Sequence, residues 1–127
     1  MNNILIVEDD QMLVEIYHKK FASDGYKVDT AGSGAEAIRK IIKNKPDLVL
    51  LDLVMPEEDG FEVLKRVKSN AKSKDVRIIV FSNLSQEEDK EKAAALGAEG
   101  FITKSDFTPQ EIVEKVHEIL KIDKSEE

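Results

Sequence analysis

The sequence predicts a doubly wound α/β domain, in which a parallel sheet lies between two layers of helices. Five short apolar runs alternate with segments of helical periodicity and are joined by short turns. Three of these runs are continuously apolar, which is typical of strands covered on both faces. The 127 residues suffice for one domain with a substantial core. We place that domain at residues 1–122 and a polar C-terminal tail at 123–127.

Five segments of the sequence are predicted to be strands. In chain order they are "NILIV" (3–7), "YKVDT" (26–30), "DLVLL" (47–51), "VRIIVF" (76–81) and "GFIT" (100–103). The first, third and fourth are rich in Val, Ile and Leu and are expected in the centre of the sheet. The second alternates apolar and polar residues, which favours an edge position.

Apolar residues at helical spacing lie between the strands. The predicted inner faces are Leu13, Ile16, Tyr17 and Phe21; Ile38, Ile41 and Ile42; Phe61, Leu64 and Val67; and Ile112, Val113, Val116, Ile119 and Leu120. Asp10 is expected to cap the first helix. Thr108 is expected to cap the last helix, with Pro109 at the first helical position and Glu111 at the third. The segment 86–96 has a weak inner face of Ala93, Ala94 and Leu96, so moving it should cost little free energy.

Composition excludes several classes of function. The net charge of −7 and the pI of about 5.0 argue against a broad phosphate-binding surface, so no nucleic-acid partner is expected. The chain has no cysteine and therefore no disulfide, thiolate nucleophile or cysteine metal site. No apolar run approaches the roughly 18 residues of a membrane span, and the start lacks a basic leader. We expect a cytoplasmic protein that does not contact the membrane.

Polar residues follow the predicted strands at the point where each ends. Glu8 and Asp9 come after the first strand, Asp52 after the third, Ser82 after the fourth and Lys104 after the fifth. Doubly wound sheets bind ligands at this edge, and a carboxylate cluster without His or Cys suits Mg²⁺. A lysine and a hydroxyl opposite the metal would suit a phosphoryl group, which a carboxylate can accept covalently. Taken alone, each of these residues could instead be a helix cap, a turn residue or a charged surface residue without a function.

Together, these residues resemble the receiver domain of two-component response regulators. The resemblance covers residues 3 to 121 and rests on four motifs in register: "VEDD" at 7–10, "LLDLVMPEEDG" at 50–60, "VFSN" at 80–83 and "FITKS" at 101–105. It implies a flavodoxin-like fold, with a five-stranded parallel sheet of order 2-1-3-4-5 flanked by five helices. The resemblance is to single-domain regulators of the chemotaxis or phosphorelay type.

The resemblance also implies a phosphoacceptor and a metal site. Asp52 would accept a phosphoryl group from a histidine kinase, a histidine phosphotransfer protein or a small acyl phosphate. Asp9, Asp52 and the backbone carbonyl of Val54 would bind Mg²⁺ directly, and Glu8 would bind it through water. Mn²⁺ would fit the same ligands.

Three further residues would respond to phosphorylation. Lys104 would pair with Asp52 at rest and with a phosphoryl oxygen afterwards. Ser82 would then swing in to hydrogen-bond that group, and Phe101 would follow it inward. The face formed by the fourth helix, fifth strand and fifth helix would bind a downstream protein or a second copy of the chain.

Some positions depart from the family. Ser105 replaces a proline that usually follows a cis peptide; because a non-proline cis bond costs about 2.5–4 kcal/mol, we expect a trans bond and a shifted loop at Lys104. Asn83 replaces a small residue and could narrow access to the site, and Phe101 lacks a tyrosine hydroxyl.

Val54 and Leu84 occupy positions that tune the access of water to a phosphoryl group. Both are apolar, which predicts slow loss of the phosphoryl group, and a lifetime of seconds after removal of the donor would contradict this.

We therefore expect a phosphorylatable switch without an attached output module, which catalyses only its own phosphorylation and dephosphorylation. A degenerate receiver that acts as a constitutive interaction module remains an alternative because of Ser105 and Asn83. A phosphatase of the haloacid dehalogenase type is disfavoured, since it needs an acid where this chain has Val54. A flavin binder would need a phosphate loop where Glu8 and Asp9 lie.

Overall fold

A computed structural model describes residues 2–55, 58–83 and 86–125. Five strands and five helices alternate along them: β1 Asn3–Val7, α1 Gln11–Ser23, β2 Lys27–Ala31, α2 Gly34–Asn44, β3 Leu48–Leu51, α3 Gly60–Ser69, β4 Ile78–Ser82, α4 Glu87–Ala95, β5 Gly100–Thr103 and α5 Pro109–Ser125. The numbering counts the strands of the main sheet. All five predicted strands are present, with ends that differ by at most two residues from the prediction.

The strands form one parallel sheet in the order β2-β1-β3-β4-β5, as predicted. The central strands β1, β3 and β4 are almost wholly buried, because helices cover both of their faces. The alternating strand β2 lies at one edge, where polar residues can reach water. The fold class and the sheet order are therefore confirmed.

Two hydrophobic cores lie on opposite faces of the sheet. One packs α2, α3 and α4 against side chains such as Val7, Leu51 and Val80. The other packs α1 and α5 against side chains such as Ile6 and Phe81. Alternate residues of each strand point to opposite faces, so both layers hold the same strand rigid. The ends of the strands, where the polar residues follow, are thereby fixed from both sides.

The predicted helix caps are present. The Asp10 carboxylate accepts the N–H groups of Met12 and Leu13 at 3.0 and 3.3 Å. Thr108 and Glu111 form a reciprocal pair. The backbone N–H of Thr108 donates to the Glu111 carboxylate at 2.8 Å, and the backbone N–H of Glu111 donates to the Thr108 hydroxyl at 3.1 Å.

Four features differ from the sequence prediction. Ile16 and Ala94, both assigned to inner helix faces, are exposed. Val54–Met55 and Glu58–Asp59 form a short antiparallel pairing outside the main sheet, too short to show a strand pattern. A 3-10 turn at Lys104–Asp106 follows β5. The last helix continues to Ser125, past the boundary at 122, so part of the predicted tail is helical.

Within the described ranges, every helix is either too short or too polar to cross a lipid bilayer.

Candidate functional site

A cavity of about 380 Å³ opens at the carboxyl end of the sheet. Its lining contains the acids and the lysine that the sequence places after the strands, together with residues close to them: Glu8, Asp9, Asp10, Leu13, Asp52, Val54, Ser82, Asn83 and Lys104. A larger cavity of about 590 Å³ lies at the opposite end of the sheet, beside Pro46 and Ser73, and its lining holds one acid, Asp75. The acids and the lysine that could take part in a reaction therefore line the smaller of these two cavities.

Three carboxylates meet in this cavity. One carboxylate oxygen from each of Glu8, Asp9 and Asp52 lies within 4.8 Å of the other two. They come together because Val7 pairs with Leu51 at the ends of β1 and β3, so the next residues of both strands emerge side by side. Glu8 is only 2% exposed and Asp52 only 4%, and Asp9 is half-buried. Buried acids this close together require compensating positive charge.

Lys104 supplies part of that charge. Its ammonium contacts the Oε1 atom of Glu8 and lies 3.4 Å from the Oδ2 atom of Asp52. The same nitrogen lies 4.8 Å from the centre of the Phe81 ring, a cation–π contact. The family resemblance implies that Lys104 pairs with Asp52 at rest, and the structure adds Glu8 as a second and closer partner. Since Glu8 is the more deeply buried of the two acids, it has the greater need for a counter-charge.

The environment of Glu8 raises its pKa above the usual value. Burial is the largest cause, and the charge of Asp52 acts in the same direction, whereas the hydrogen bond and charge of Lys104 lower the pKa. The Oε2 atom of Glu8 accepts the N–H of Asp10 at 3.2 Å. Both oxygens of Glu8 therefore have partners, and the side chain is held at the back of the cavity.

The loop that carries Asp52 is held by close packing against the start of α3. The Oδ1 atom of Asp52 accepts the N–H of Val54 at 3.2 Å, and the N–H of Gly60 donates to the Leu53 carbonyl at 3.0 Å. A Cβ atom at Gly60 would lie 2.4 Å from the Leu53 Cα and 2.7 Å from the Asp52 carbonyl oxygen. Only glycine allows this approach, which the "DG" pair in the sequence could have indicated.

Val54 and Leu84 are the two residues expected to tune the access of water to the site. Val54 lies on the rim of the cavity and is 57% exposed. Its carbonyl as a metal ligand, and its effect on the lifetime of a phosphoryl group, stay predictions. Leu84 lies outside the described residues.

The two residues expected to move on phosphorylation lie in neighbouring strands. Ser82 is fully buried, lines the cavity and pairs in register with Thr103. Phe101 pairs in register with Val80, is half-buried and packs against the core that contains α4. Ser82 thus faces the acids and Phe101 lies beside the surface of the fourth helix. Their coupled movement stays a prediction.

A contact that the sequence analysis did not predict joins the two loops beside the cavity. The Oδ1 atom of Asn83 accepts the backbone N–H of Ser105 at 2.9 Å. No cis peptide occurs within the described residues, so the bond between Lys104 and Ser105 is trans, as expected. Asn83 and Ser105 are both unusual residues at their positions, but nothing in the sequence indicates that they contact each other.

The donor set fits a hard divalent cation. Three carboxylates face one ammonium, which leaves an excess of negative charge, and all candidate ligands are oxygen atoms. Mg²⁺ prefers such oxygen ligands together with water. The cavity of about 380 Å³ has space for that water and for a small anion.

Comparisons with known proteins agree with this geometry. Residues 4–117 match the family model described as the response regulator receiver domain. The response regulator SaeR of Staphylococcus aureus (strain USA300) is 37% identical over 120 residues, which cover 94% of this chain and 51% of SaeR. The chain thus spans about half the length of the curated relatives it matches.

Solved structures show the same fold over nearly the whole chain. The CheY-like receiver domain protein of Methanospirillum hungatei JF-1 has a TM-score of 0.88 at 25% identity and covers 100% of this chain and 99% of its own. Chemotaxis protein CheY4 of Vibrio cholerae has a TM-score of 0.85 at 29% identity and covers 93% of this chain and 98% of its own. The fold, the residues at the strand ends and the family match lead to one conclusion: the chain belongs to the response regulator receiver domain family.

Proposed function

We propose that this receiver domain is a switch that accepts a phosphoryl group on Asp52. The observation that carries the proposal is the position of Asp52. The residue is 4% exposed and lines an open cavity, and its carboxylate lies close to two other acids and to the Lys104 ammonium. A buried aspartate with these neighbours has little structural use, whereas an acceptor needs both the confinement and the nearby positive charge.

The acids would hold Mg²⁺, with Mn²⁺ as a substitute. Asp9, Asp52 and the Val54 carbonyl would be direct ligands, and Glu8 would hold a bound water. The cation would neutralise charge on the phosphoryl oxygens during transfer. Because Glu8 already pairs with Lys104, it is less available as a direct ligand than Asp9, which agrees with an indirect role.

Phosphoryl transfer to Asp52 is a single displacement. A carboxylate oxygen of Asp52 forms a bond to phosphorus, and the bond from phosphorus to the donor breaks. A phosphohistidine donor keeps the electron pair on its ring nitrogen and takes up a proton, whereas acetyl phosphate releases acetate. Lys104 lies close enough to Asp52 to turn from Glu8 towards a phosphoryl oxygen, and Ser82 lies on the same cavity wall.

The donor is proposed to be a histidine kinase or a histidine phosphotransfer protein. Apolar side chains are exposed near the cavity: Met12 is 72% exposed at the start of α1, and Val54 is 57% exposed on the rim. Ile16, one turn beyond Met12, is also exposed. Exposed apolar residues around a charged cavity favour docking of a protein surface over binding of a small donor alone.

The output surface is proposed to be formed by α4, β5 and α5. Phosphorylation would shift these elements between two positions and thereby change the affinity for a downstream protein or a second copy of the chain. We propose further that the protein works in the cytoplasm, without nucleic acid or membrane as a partner, and that it catalyses no reaction besides its own phosphorylation and dephosphorylation.

Incubation with acetyl phosphate and Mg²⁺, followed by intact mass measurement, tests the proposal. We expect the wild type to gain the mass of one acid-labile phosphoryl group and Asp52→Asn to gain none. Asp75→Asn, which changes an exposed aspartate at the far end of the sheet, is the matched control and should react like the wild type.

A chelator should suppress the adduct because the three carboxylates would repel the anionic donor without the cation. Absence of an adduct on the wild type, under conditions in which other receiver domains react, would contradict the proposal and favour a constitutive interaction module. An equal adduct on Asp52→Asn would place the acceptor elsewhere.

A further inference from the structure

We propose that Asn83 is a positioning residue, which holds Lys104 at the acid cluster through its hydrogen bond to the backbone of Ser105. This inference rests on the proposed phosphorylation of Asp52, whose rate it would control.

The hydrogen bond continues the link between two strands beyond the end of the sheet. The last paired residues of β4 and β5 are Ser82 and Thr103. Asn83 follows the first of these directly, and its Oδ1 atom accepts the N–H of Ser105 at 2.9 Å. The contact therefore joins the immediate neighbour of Ser82 to the immediate neighbour of Lys104.

The turn that carries Lys104 has little support of its own. It is a single 3-10 turn, Lys104–Asp106, and the residue before it, Thr103, provides no side-chain cap. The hydrogen bond that closes the turn, from the Phe107 N–H to the Lys104 carbonyl, is long at 3.4 Å. Asn83 takes the place of the missing cap, because it satisfies one of the free N–H groups at the start of the turn.

The position of this turn determines what the Lys104 ammonium can reach. The ammonium contacts Glu8, lies 3.4 Å from Asp52 and lies over the Phe81 ring. These contacts converge on a single nitrogen at the end of a long side chain. A turn that is free to shift would spread the lysine over positions in which it no longer stabilises charge at Asp52, and the rate of transfer would fall.

A different role for Asn83 predicts the opposite result. Asn83 also lines the cavity, so its side chain could limit the access of donors. In that case, truncation to alanine would open the cavity and speed phosphorylation, regardless of Lys104. If Asn83 acts through Lys104, truncation slows phosphorylation and has no effect once the lysine is gone.

The expected effect is that of one exposed hydrogen bond, about a three- to tenfold change in an equilibrium or a rate. We expect Asn83→Ala to slow the reaction with acetyl phosphate by about that factor. Ser105→Ala should react like the wild type, because the donor is a backbone N–H that the substitution keeps. Lys104→Met and the double variant Asn83→Ala with Lys104→Met should react at the same slow rate.

Hydrogen exchange gives a readout that does not depend on activity. The amide of Ser105 should exchange about three- to tenfold faster in Asn83→Ala than in the wild type. Amides at the centre of the sheet, such as that of Leu50, should remain slow to exchange, which would show that the fold is intact.

Two results would overturn the inference while leaving the proposed function intact. One is that the wild type is phosphorylated and that Asn83→Ala reacts equally fast or faster. The other is a slowing by Asn83→Ala that persists in full when Lys104 is methionine. A wild type that forms no adduct would instead overturn the proposed function, and this inference with it.

Discussion

Lys104 shows at the level of single residues how charge is balanced in this site. Two buried acids, Glu8 and Asp52, share one ammonium, and the nearer of them is the one that the sequence analysis assigns to a water-mediated role. A buried ion pair contributes little net stability, because desolvation offsets most of the attraction. In the proposed function, this pairing places a positive charge beside Asp52. The ammonium would then move from Glu8 to a phosphoryl oxygen when Asp52 is phosphorylated.

At this level the sequence predicts which residues meet, but not how they pair. Glu8, Asp9, Asp52, Ser82 and Lys104 line one cavity, as their positions after parallel strands indicate. The closer pairing of Lys104 with Glu8 depends on side-chain conformation and burial, which sequence order does not specify. The contact between Asn83 and Ser105 depends on the shape of two loops and is equally invisible in the sequence.

Gly60 provides a test of the packing that holds Asp52. We expect Gly60→Ala to lower the free energy of unfolding by about 1–3 kcal/mol, because the added methyl group would clash with the backbone of Leu53 and Asp52. The same displacement should slow phosphorylation. Chemical denaturation measures the first effect, and the rate of reaction with acetyl phosphate measures the second.

Gly32→Ala is the matched control. No atom lies within 4 Å of a Cβ at Gly32, and its backbone does not require a positive φ. Its stability should stay within about 0.5 kcal/mol of the wild type or rise slightly. Equal losses of stability in both variants would show that the close approach at Gly60 is unimportant.

Of the five α-helices in the described part of the chain, α4 buries the fewest residues. Ala93 is its only buried residue, and Leu96 beyond its end is half-buried. The ammonium of Lys92 lies 4.3 Å from the centre of the Phe61 ring on α3. Because little apolar area is buried, a shift of α4 should cost little free energy. The small buried area agrees with the sequence prediction, although Ala94 is exposed and does not lie on the inner face.

We therefore expect phosphorylation to change the amide chemical shifts of residues 86–103, which include all of α4 and β5. Two-dimensional NMR of the protein with acetyl phosphate and Mg²⁺ measures this. The residues of α2, which lie away from the cavity, should change little, and Asp52→Asn should show no change on addition of the donor. Shift changes confined to the lining of the cavity would contradict a role for α4 in output.

Elements differ in how well the sequence predicts them. Each strand begins and ends within two residues of its prediction, and for β1, β3 and β4 the reason is an apolar composition that follows from burial on both faces. The pairing of Val54–Met55 with Glu58–Asp59 involves two residues on each side and leaves no periodic signal. The end of α5 differs for a similar reason, since a polar segment without a glycine or proline gives no clear signal for where a helix ends.

At the scale of the whole molecule, the sheet brings together residues that are far apart in the chain. The acids after β1 and β3 and the lysine after β5 meet only because five parallel strands end at the same edge. The sequence predicts the topology and therefore the site. The kinase that phosphorylates the domain and the protein that responds to it depend on surfaces of other molecules, and those leave no signal within this chain.

Chemical trapping of the phosphorylated residue tests the central claim most directly. Borohydride reduces an acyl phosphate to an alcohol, which would convert phosphorylated Asp52 to homoserine. After treatment with acetyl phosphate, Mg²⁺ and borohydride, peptide mass spectrometry should find homoserine at position 52 and at no other aspartate. Reduction at Asp9 or Glu8, or no reduced residue despite a phosphoryl adduct, would contradict the assignment of Asp52 as the acceptor.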